Sequence, residues 1–330
     1  MPRIGVVGAG ALGHHHVRIL RDLPGVAFAG FYESDAQRAT TVAAELGVTA
    51  HPSLDALLNA ADAVTCVVPT LAHHAVGMQV LRAGRHLFVE KPIAATLDEA
   101  DELVATAAAQ GLVLQVGHVE RFNRAVRAAL PYIDRPLFVQ SDRLAPYTPR
   151  GADVAVVLDL MIHDIDLVAS LVGSPVTDVS AVGVPVITET PDIANARLTF
   201  ASGAVATITA SRVSRDRQRK LRLFQKSGYL TMDLGTGQGM FYRLRDDVDP
   251  RTLAERATSI EEFVQPVFLV APEGDALSLE FASFAAAIRG EAPVVVSGAD
   301  GRAALATALR IVADIDAQVR QVLGGATSAG

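Results

Sequence analysis

Arg3-Ile4-Gly5-Val6-Val7-Gly8-Ala9-Gly10-Ala11-Leu12-Gly13 decides how the first half of this chain folds. Arg3 to Val7 is a short apolar, β-branched run that reads as a buried strand. From Ala11 to Leu20, the apolar residues Leu12, Val17, Ile19 and Leu20 trace a helix. A Gly-x-Gly-x-x-Gly between strand and helix has a mechanical meaning. Gly8 permits the tight turn, Gly10 lets backbone approach a pyrophosphate, and Gly13 lets the helix pack closely on the strand. The helix N-terminus, with Ala11 and Leu12, then presents N–H groups and a positive dipole to the phosphates.

Val26 to Tyr32 reads as the second strand, and Glu33 follows it, twenty residues after Gly13. A carboxylate there accepts from a ribose 2′-OH and repels a 2′-phosphate, so NAD is the expected cofactor rather than NADP. No Arg or Lys follows until Arg38. Strands and helices keep alternating. Asp35 to Leu46 reads as a helix ending at Gly47, and Ser53 caps another through Leu58. Strands at Ala63–Val68, His86–Val89 and Leu112–Val116 are separated by helices at Leu71–Ala83 and Thr96–Ala109, the latter opened by a Thr96/Glu99 capping box. The alternation predicts a parallel sheet with helices on both faces and a ligand crevice beyond the carboxyl ends of its strands. Pro69, Thr70 and His73 after the third strand, and Glu90 and Lys91 before Pro92 after the fourth, fall at that crevice and are candidate cofactor contacts. For His73 a helix-start role is the alternative to a cofactor contact.

After Gly117-His118 the pattern changes. Phe138–Leu144, Val176–Val186, Ala194–Phe200, Ala204–Arg212 and Leu221–Gln225 read as strands with few helices between, and helices return at Ser278–Arg289 and Asp300–Val322. Hairpins with a few helices suggest an α+β domain carrying an antiparallel sheet. The expected division is 1–118, then 119–323, then a disordered tail 324–330.

Composition bounds the function. The chain has 330 residues, 50% of them hydrophobic, with a net charge of −7 that argues against a nucleic-acid binder. It lacks tryptophan, which makes a stacking surface for carbohydrate or single strands less expected. One cysteine, Cys66, leaves no disulfide framework. The first strand begins by residue 3 or 4, leaving no room for a signal peptide, and the least polar stretch, 103–117, is too short for a membrane span. A cytoplasmic protein is expected.

Ala152 to Leu171 is almost wholly apolar, without Lys, Arg or Glu, yet carries Asp159, His163 and Asp166 at i, i+4 and i+7. Burying such a stripe is costly unless it has partners or lines a cavity. A pocket-facing stripe is therefore the expectation. No second His or Cys shares metal-ligand spacing with it, and His14, His15 and His16 point in different directions from their helix, so no metal site is expected.

On the glycine motif, Glu90-Lys91-Pro92 and Asp159-x-x-x-His163, the chain resembles the Gfo/Idh/MocA oxidoreductases over essentially its whole length. The resemblance implies a Rossmann domain followed by an α+β domain with an open, mostly antiparallel sheet that supports homodimers or homotetramers. It implies a catalytic group of Lys91, Asp159 and His163, and a Lys91-Pro92 bond that is cis. It further implies hydride transfer between a sugar or polyol C–OH and the nicotinamide. Either His163 or Lys91 is the base; Asp159 orients the imidazole. Gly117-His-Val-Glu-Arg-Phe-Asn123, Asp153 to Asp166, Ala194-Asn-Ala-Arg-Leu and Lys220-Leu-Arg-Leu-Phe are most similar to the branch that oxidises nucleotide sugars such as UDP-N-acetylglucosamine. On that reading His118 and Asn123 meet sugar hydroxyls, and Arg121, Arg143 and Arg150 are candidates for the diphosphate, with a plain surface role as the alternative. The basic run Arg212 to Arg222 reads as a solvated face or a subunit contact, with phosphate binding as the alternative. Rival readings are a polyol or free-sugar dehydrogenase of the same family and a non-catalytic NAD-binding regulator.

Overall fold

In a computed structural model, residues 1–148, 154–245, 259 and 262–325 are described. They group into two compact units, Met1–Phe122 with Gly274–Ala306, and Asn123–Glu273 with Thr307–Gly330. The single break expected after residue 118 therefore differs from the packing, because a late segment returns to the first unit.

The first unit holds a five-stranded parallel sheet in the order β2-β1-β3-β4-β5. Its strands are β1 (Arg3–Val7), β2 (Ala27–Tyr32), β3 (Ala63–Cys66), β4 (His86–Glu90) and β5 (Leu114–Gly117). Helices α1 (Ala11–Asp22), α2 (Ala36–Leu46), α3 (Leu54–Ala60), α4 (Thr70–Arg82) and α5 (Leu97–Ala109) connect them. Local chemistry sets their ends. The Asp35 carboxylate accepts from the amides of Gln37 and Arg38 to start α2, and Gly47 ends it in the left-handed region. Ser53 caps α3, and Thr96 with Glu99 completes the capping box of α5.

The same unit takes in α8 (Ala276–Ile288), whose Phe281, Phe284 and Ala285 sit in one buried cluster with Ile4, Val6, Leu20, Phe31 and Phe88. Burying a phenylalanine is worth roughly 1.5–3 kcal/mol, which explains why α8 packs here. Val296 then accepts from the Val116 amide, so residues beyond α8 extend along the edge of β5.

The second unit is built on an eight-stranded sheet in the order β13-β12-β11-β10-β6-β9-β8-β7. The strands are β6 (Phe138–Leu144), β7 (Val176–Val184), β8 (Ile193–Phe200), β9 (Val205–Ser211), β10 (Gln218–Gln225), β11 (Gly228–Asp233), β12 (Gln238–Leu244) and β13 (Val264–Leu269). Every neighbouring pair is antiparallel except β6 with β9. Alternate residues of β8, β9, β10 and β11 are buried, among them Ala196, Leu198, Ile208, Leu223 and Leu230. α6 (Arg124–Ala129) precedes the central strand β6, and α7 (Ile162–Val172) lies between β6 and the edge strand β7 in the chain. β11, β12 and β13 are additions to the five strands expected; Gly228 and Gly239 fall within β11 and β12, and with Gly235 and Gly237 in the turn between them they imitate loop sequence, while Pro266 breaks the run of β13. Helix α9 (Gly298–Gly325) includes Gly324 and Gly325, expected in the tail, because propagation of a formed helix adds a hydrogen bond per residue even over glycines. Residues 326–330 lie outside the described set. Among the described residues no helix is long and apolar enough to cross a membrane.

Candidate functional site

The glycine loop has the geometry that its sequence requires. Gly8 has φ +88°, and a Cβ there would run into the Val67 carbonyl. A Cβ on Gly13 would overlap the Gly8 carbonyl oxygen, which is the close helix–strand approach expected. At Gly10 a Cβ would meet nothing within 4 Å, so this face of the loop is open to an incoming group. Gly10 is the N-cap of α1, and among the described residues no side chain caps it. An open backbone face at an uncapped helix N-terminus fits a pyrophosphate, so the residues suit NAD.

Beside the loop, a cavity of about 230 Å3 is lined by Val7, Gly8, Tyr32, Glu33, Val68 and Pro69. It lies where the strand order reverses about β1, the ligand position of open α/β sheets. Glu33 Oε2 accepts the Ala9 amide at 2.6 Å, and Oε1 accepts the Ser34 hydroxyl and the Asp35 amide, each at 3.1 Å. Partial burial works to raise its carboxyl, but the donors of Ala9, Asp35 and Ser34 outweigh it and hold Glu33 below the ordinary carboxylate value. Arg38 Nε donates to the Ala9 carbonyl at 2.8 Å, so a carboxylate and a guanidinium hold the two backbone groups of one residue.

Lys91 is half-buried at the end of β4, and the Lys91-Pro92 bond is cis. Glu90 is buried; its Oε1 lies 3.1 Å from His16 Nε2, and its Oε2 accepts the Lys91 amide at 3.3 Å. Burial works to raise the Glu90 carboxyl, but His16, Lys91 and the Lys91 amide hold it below its usual value. Pro69 is the N-cap of α4, which Thr70 begins. His73, in the first turn of α4, is buried with Nδ1 2.7 Å from the Pro92 carbonyl oxygen and Nε2 2.9 Å from that of Val68. Its burial pulls its pKa down, against the pull of the Pro92 and Val68 carbonyls. Cys66 is likewise buried, its thiol pushed up to about 12 by desolvation. His118 is buried just after β5, and Arg121 donates to the Val295 carbonyl and lies 3.6 Å from Asp300.

In the second unit, Asp159 and His163 are half-buried on one continuous helical segment. That segment opens with a π turn, Val157–Met161, which holds Asp159, before the regular α7 that holds His163. A regular helix from Ala152 is what the sequence predicts; π turns lack a sequence signature and recur at functional sites. Asp166 is buried. The neighbouring Asp164, absent from the expected stripe, anchors the helix instead. It takes the Ser141 hydroxyl at 2.9 Å and two guanidinium bonds from Arg143, at 2.5 and 3.3 Å. Arg143 is 4% exposed, a buried partner of Asp164 where the sequence suggests a diphosphate contact. Asn123 caps α6 through the Ala125 amide and donates to the Leu234 carbonyl at 2.8 Å. Arg150 and Asp153 lie outside the described residues.

The basic run divides. Arg212 is buried, with Nε on Asp192 at 2.8 Å and Nη1 on the Val154 carbonyl at 2.6 Å. Asp192 also accepts the amides of Val186, Ile187 and Thr188 at 2.8, 2.6 and 2.9 Å. Lys220 and Arg222 are exposed on β10. Among the described residues no cluster of His, Cys, Asp and Glu has a metal-holding arrangement.

Comparison with known proteins gives two family matches. Residues 2–118 match the oxidoreductase family with an NAD-binding Rossmann fold, and residues 133–231 match the GFO/IDH/MocA C-terminal domain. The chain is 37% identical to a UDP-N-acetylglucosamine 3-dehydrogenase of Acidithiobacillus ferrooxidans, covering 96% of this chain and 97% of that protein. A solved structure of that dehydrogenase superposes with a TM-score of 0.87 at 36% identity, covering 96% of this chain and 98% of that one. A scyllo-inositol 2-dehydrogenase (NAD(+)) of Bacillus subtilis is 29% identical over 64% of this chain and 68% of its own length.

Proposed function

Because this chain belongs to the Gfo/Idh/MocA oxidoreductase family, we propose that it oxidises UDP-N-acetylglucosamine at the 3-position to the ketone, with NAD as acceptor. The observation that carries this reading is the sequence identity to the nucleotide-sugar enzyme, 37% over 96% of this chain and 97% of that protein, against 29% over 64% of this chain for the Bacillus subtilis inositol enzyme.

NAD, when bound, supplies the hydride acceptor. The chain's own residues do the rest. The loop Gly8–Gly13 and the first amides of α1 hold the pyrophosphate. Glu33, beside the glycine loop, would accept from the adenosine ribose hydroxyls. Lys91 or His163 takes the proton of the reacting hydroxyl, and Asp159 orients the imidazole. The enzyme works in the cytoplasm as a homodimer or homotetramer through the second unit's sheet. Supporting that assembly, Phe138, Phe224, Tyr229 and Tyr242 form a row of ring contacts across β6, β10, β11 and β12. Light scattering that finds a monomer would remove it.

Calorimetric titration of the NADH-loaded protein tests the substrate. Binding of UDP-N-acetylglucosamine and of UDP, without binding of N-acetylglucosamine, is the expected result. No heat from either nucleotide would return the protein to the polyol and free-sugar dehydrogenases. Glu33→Ala tests the ribose contact separately. Losing a charge-assisted hydrogen bond of about 1.5–3 kcal/mol lowers the NAD-over-NADP ratio of kcat/KM by roughly 10- to 100-fold. An unchanged ratio takes Glu33 out of the ribose site.

A further inference from the structure

Two buried histidines, on different helices, grip the residues on either side of Lys91. His16 of α1 is fully buried and edge-packed against Phe88 and Phe281, with ring centroids at 5.9 and 4.8 Å. Its Nε2 meets the Glu90 carboxylate at 3.1 Å, and its Nδ1 lies 3.4 Å from the Thr65 hydroxyl. Gly117 completes the socket, because a Cβ there would come within 2.9 Å of the Glu90 carboxyl atoms. On the other side, His73 of α4 places Nδ1 on the Pro92 carbonyl and Nε2 on the Val68 carbonyl. Both histidines, with Lys91, belong to the first unit.

We propose that His16 and His73 are positioning residues that fix the backbone of Lys91 from both sides, His16 through the Glu90 carboxylate and His73 through the Pro92 carbonyl. The inference rests on Lys91 taking part in the reaction. The physical argument is that a reacting group misplaced by about 1 Å costs on the order of 100-fold in rate. A lysine at the end of a strand has a long, many-rotamer side chain, so its reach is set by how firmly its backbone is held. Each buried contact on Glu90 and Pro92 removes freedom from that backbone.

The two ring nitrogens make the proposal testable without removing polarity from the core. A glutamine side-chain nitrogen occupies the place of Nε2, and an asparagine nitrogen that of Nδ1. His16→Gln therefore keeps the bond to Glu90, and His16→Asn loses it while keeping Thr65. At His73 the order reverses: His73→Asn keeps the Pro92 contact, and His73→Gln keeps only Val68.

The expected result is a crossed ranking. His16→Asn and His73→Gln lower kcat about 10- to 100-fold, while His16→Gln and His73→Asn stay within about 3-fold of the parent. The NADH dissociation constant, read by fluorescence, stays level across all four variants, and the thermal midpoint falls only in His16→Asn, which leaves the buried Glu90 carboxylate without its imidazole partner. Equal kcat for Asn and Gln at either position overturns the proposal, as does a loss that appears in NADH affinity or in the midpoint instead of kcat. Lys91→Met measured alongside separates the two readings. If it keeps full activity, the role of Lys91 fails; if it is inactive while the ranking is flat, only the clamp fails.

Discussion

Lys91→Met lowers kcat by about 100- to 10,000-fold and leaves the NADH dissociation constant within about twofold of the parent. Methionine has similar length but lacks the amine, so it removes proton transfer while disturbing packing little. Cofactor affinity is expected to hold because the pyrophosphate and ribose contacts are assigned to the Gly8–Gly13 loop and Glu33, and of the cofactor candidates after β4 only the Lys91 amine is removed. Stopped-flow absorbance of NADH formation, with NADH binding measured in parallel, reads both quantities. Lys91→Arg then sorts the role. Arginine keeps the positive charge but does not release its proton, so a base at this position is lost in both variants. An electrostatic role survives in Arg and not in Met. If both keep kcat, the proton chemistry belongs to His163, and His163→Gln is the variant that abolishes it.

Arg212→Met destabilises the second unit by about 3–5 kcal/mol, because it leaves the Asp192 carboxylate buried without its cation. Asp192 is fully buried and Arg212 is 5% exposed, so neither charge recovers its hydration when the other is removed. The variant also takes a donor from the Val154 carbonyl, next to the helical segment that carries Asp159. A thermal scan shows the loss as a midpoint several degrees lower. pH adds a second reading. Burial works to raise the Asp192 carboxyl, but the amides of Ile187, Thr188 and Val186 and the Arg212 guanidinium hold it well below the ordinary range. With the folded value below the unfolded one, this group's stabilisation is present above the ordinary aspartate value near 4 and is lost as pH falls through the folded value. Asp192→Asn therefore has a shallower pH dependence of stability below about pH 4. A slope equal to that of the parent would contradict the assignment.

The first unit was legible because its signals are local. The glycine turn, the β-branched runs and the caps at Ser53 and Thr96 each act within a few residues, and the elements fall where these signals put them. β3 is shorter than expected, ending at Cys66. The return of α8 was not legible, since nothing near Phe281 says that its burial partners are Ile4 and Phe88. Glu33, Lys91 and His163 were singled out by motif. His16 stood in the same sequence but pairs with a residue 74 positions away, and Arg212 looked like one member of a charged run because its Asp192 lies 20 positions upstream. Long-range pairing of single polar residues leaves no periodicity to read.

The first unit's non-contiguous course also has a consequence for synthesis. Its sheet is complete by Gly117, but Phe281, Phe284 and Ala285 of its core emerge much later, and the unit closes only with Ala306. At about 5–20 residues per second, the stretch from Phe122 to Ala306 takes roughly 10–40 s to translate. During that interval the nascent sheet carries an uncovered apolar flank beside Phe88, and ribosome-associated chaperones have a defined surface to protect. A stalled or truncated chain ending before α8 is accordingly the form most prone to aggregate.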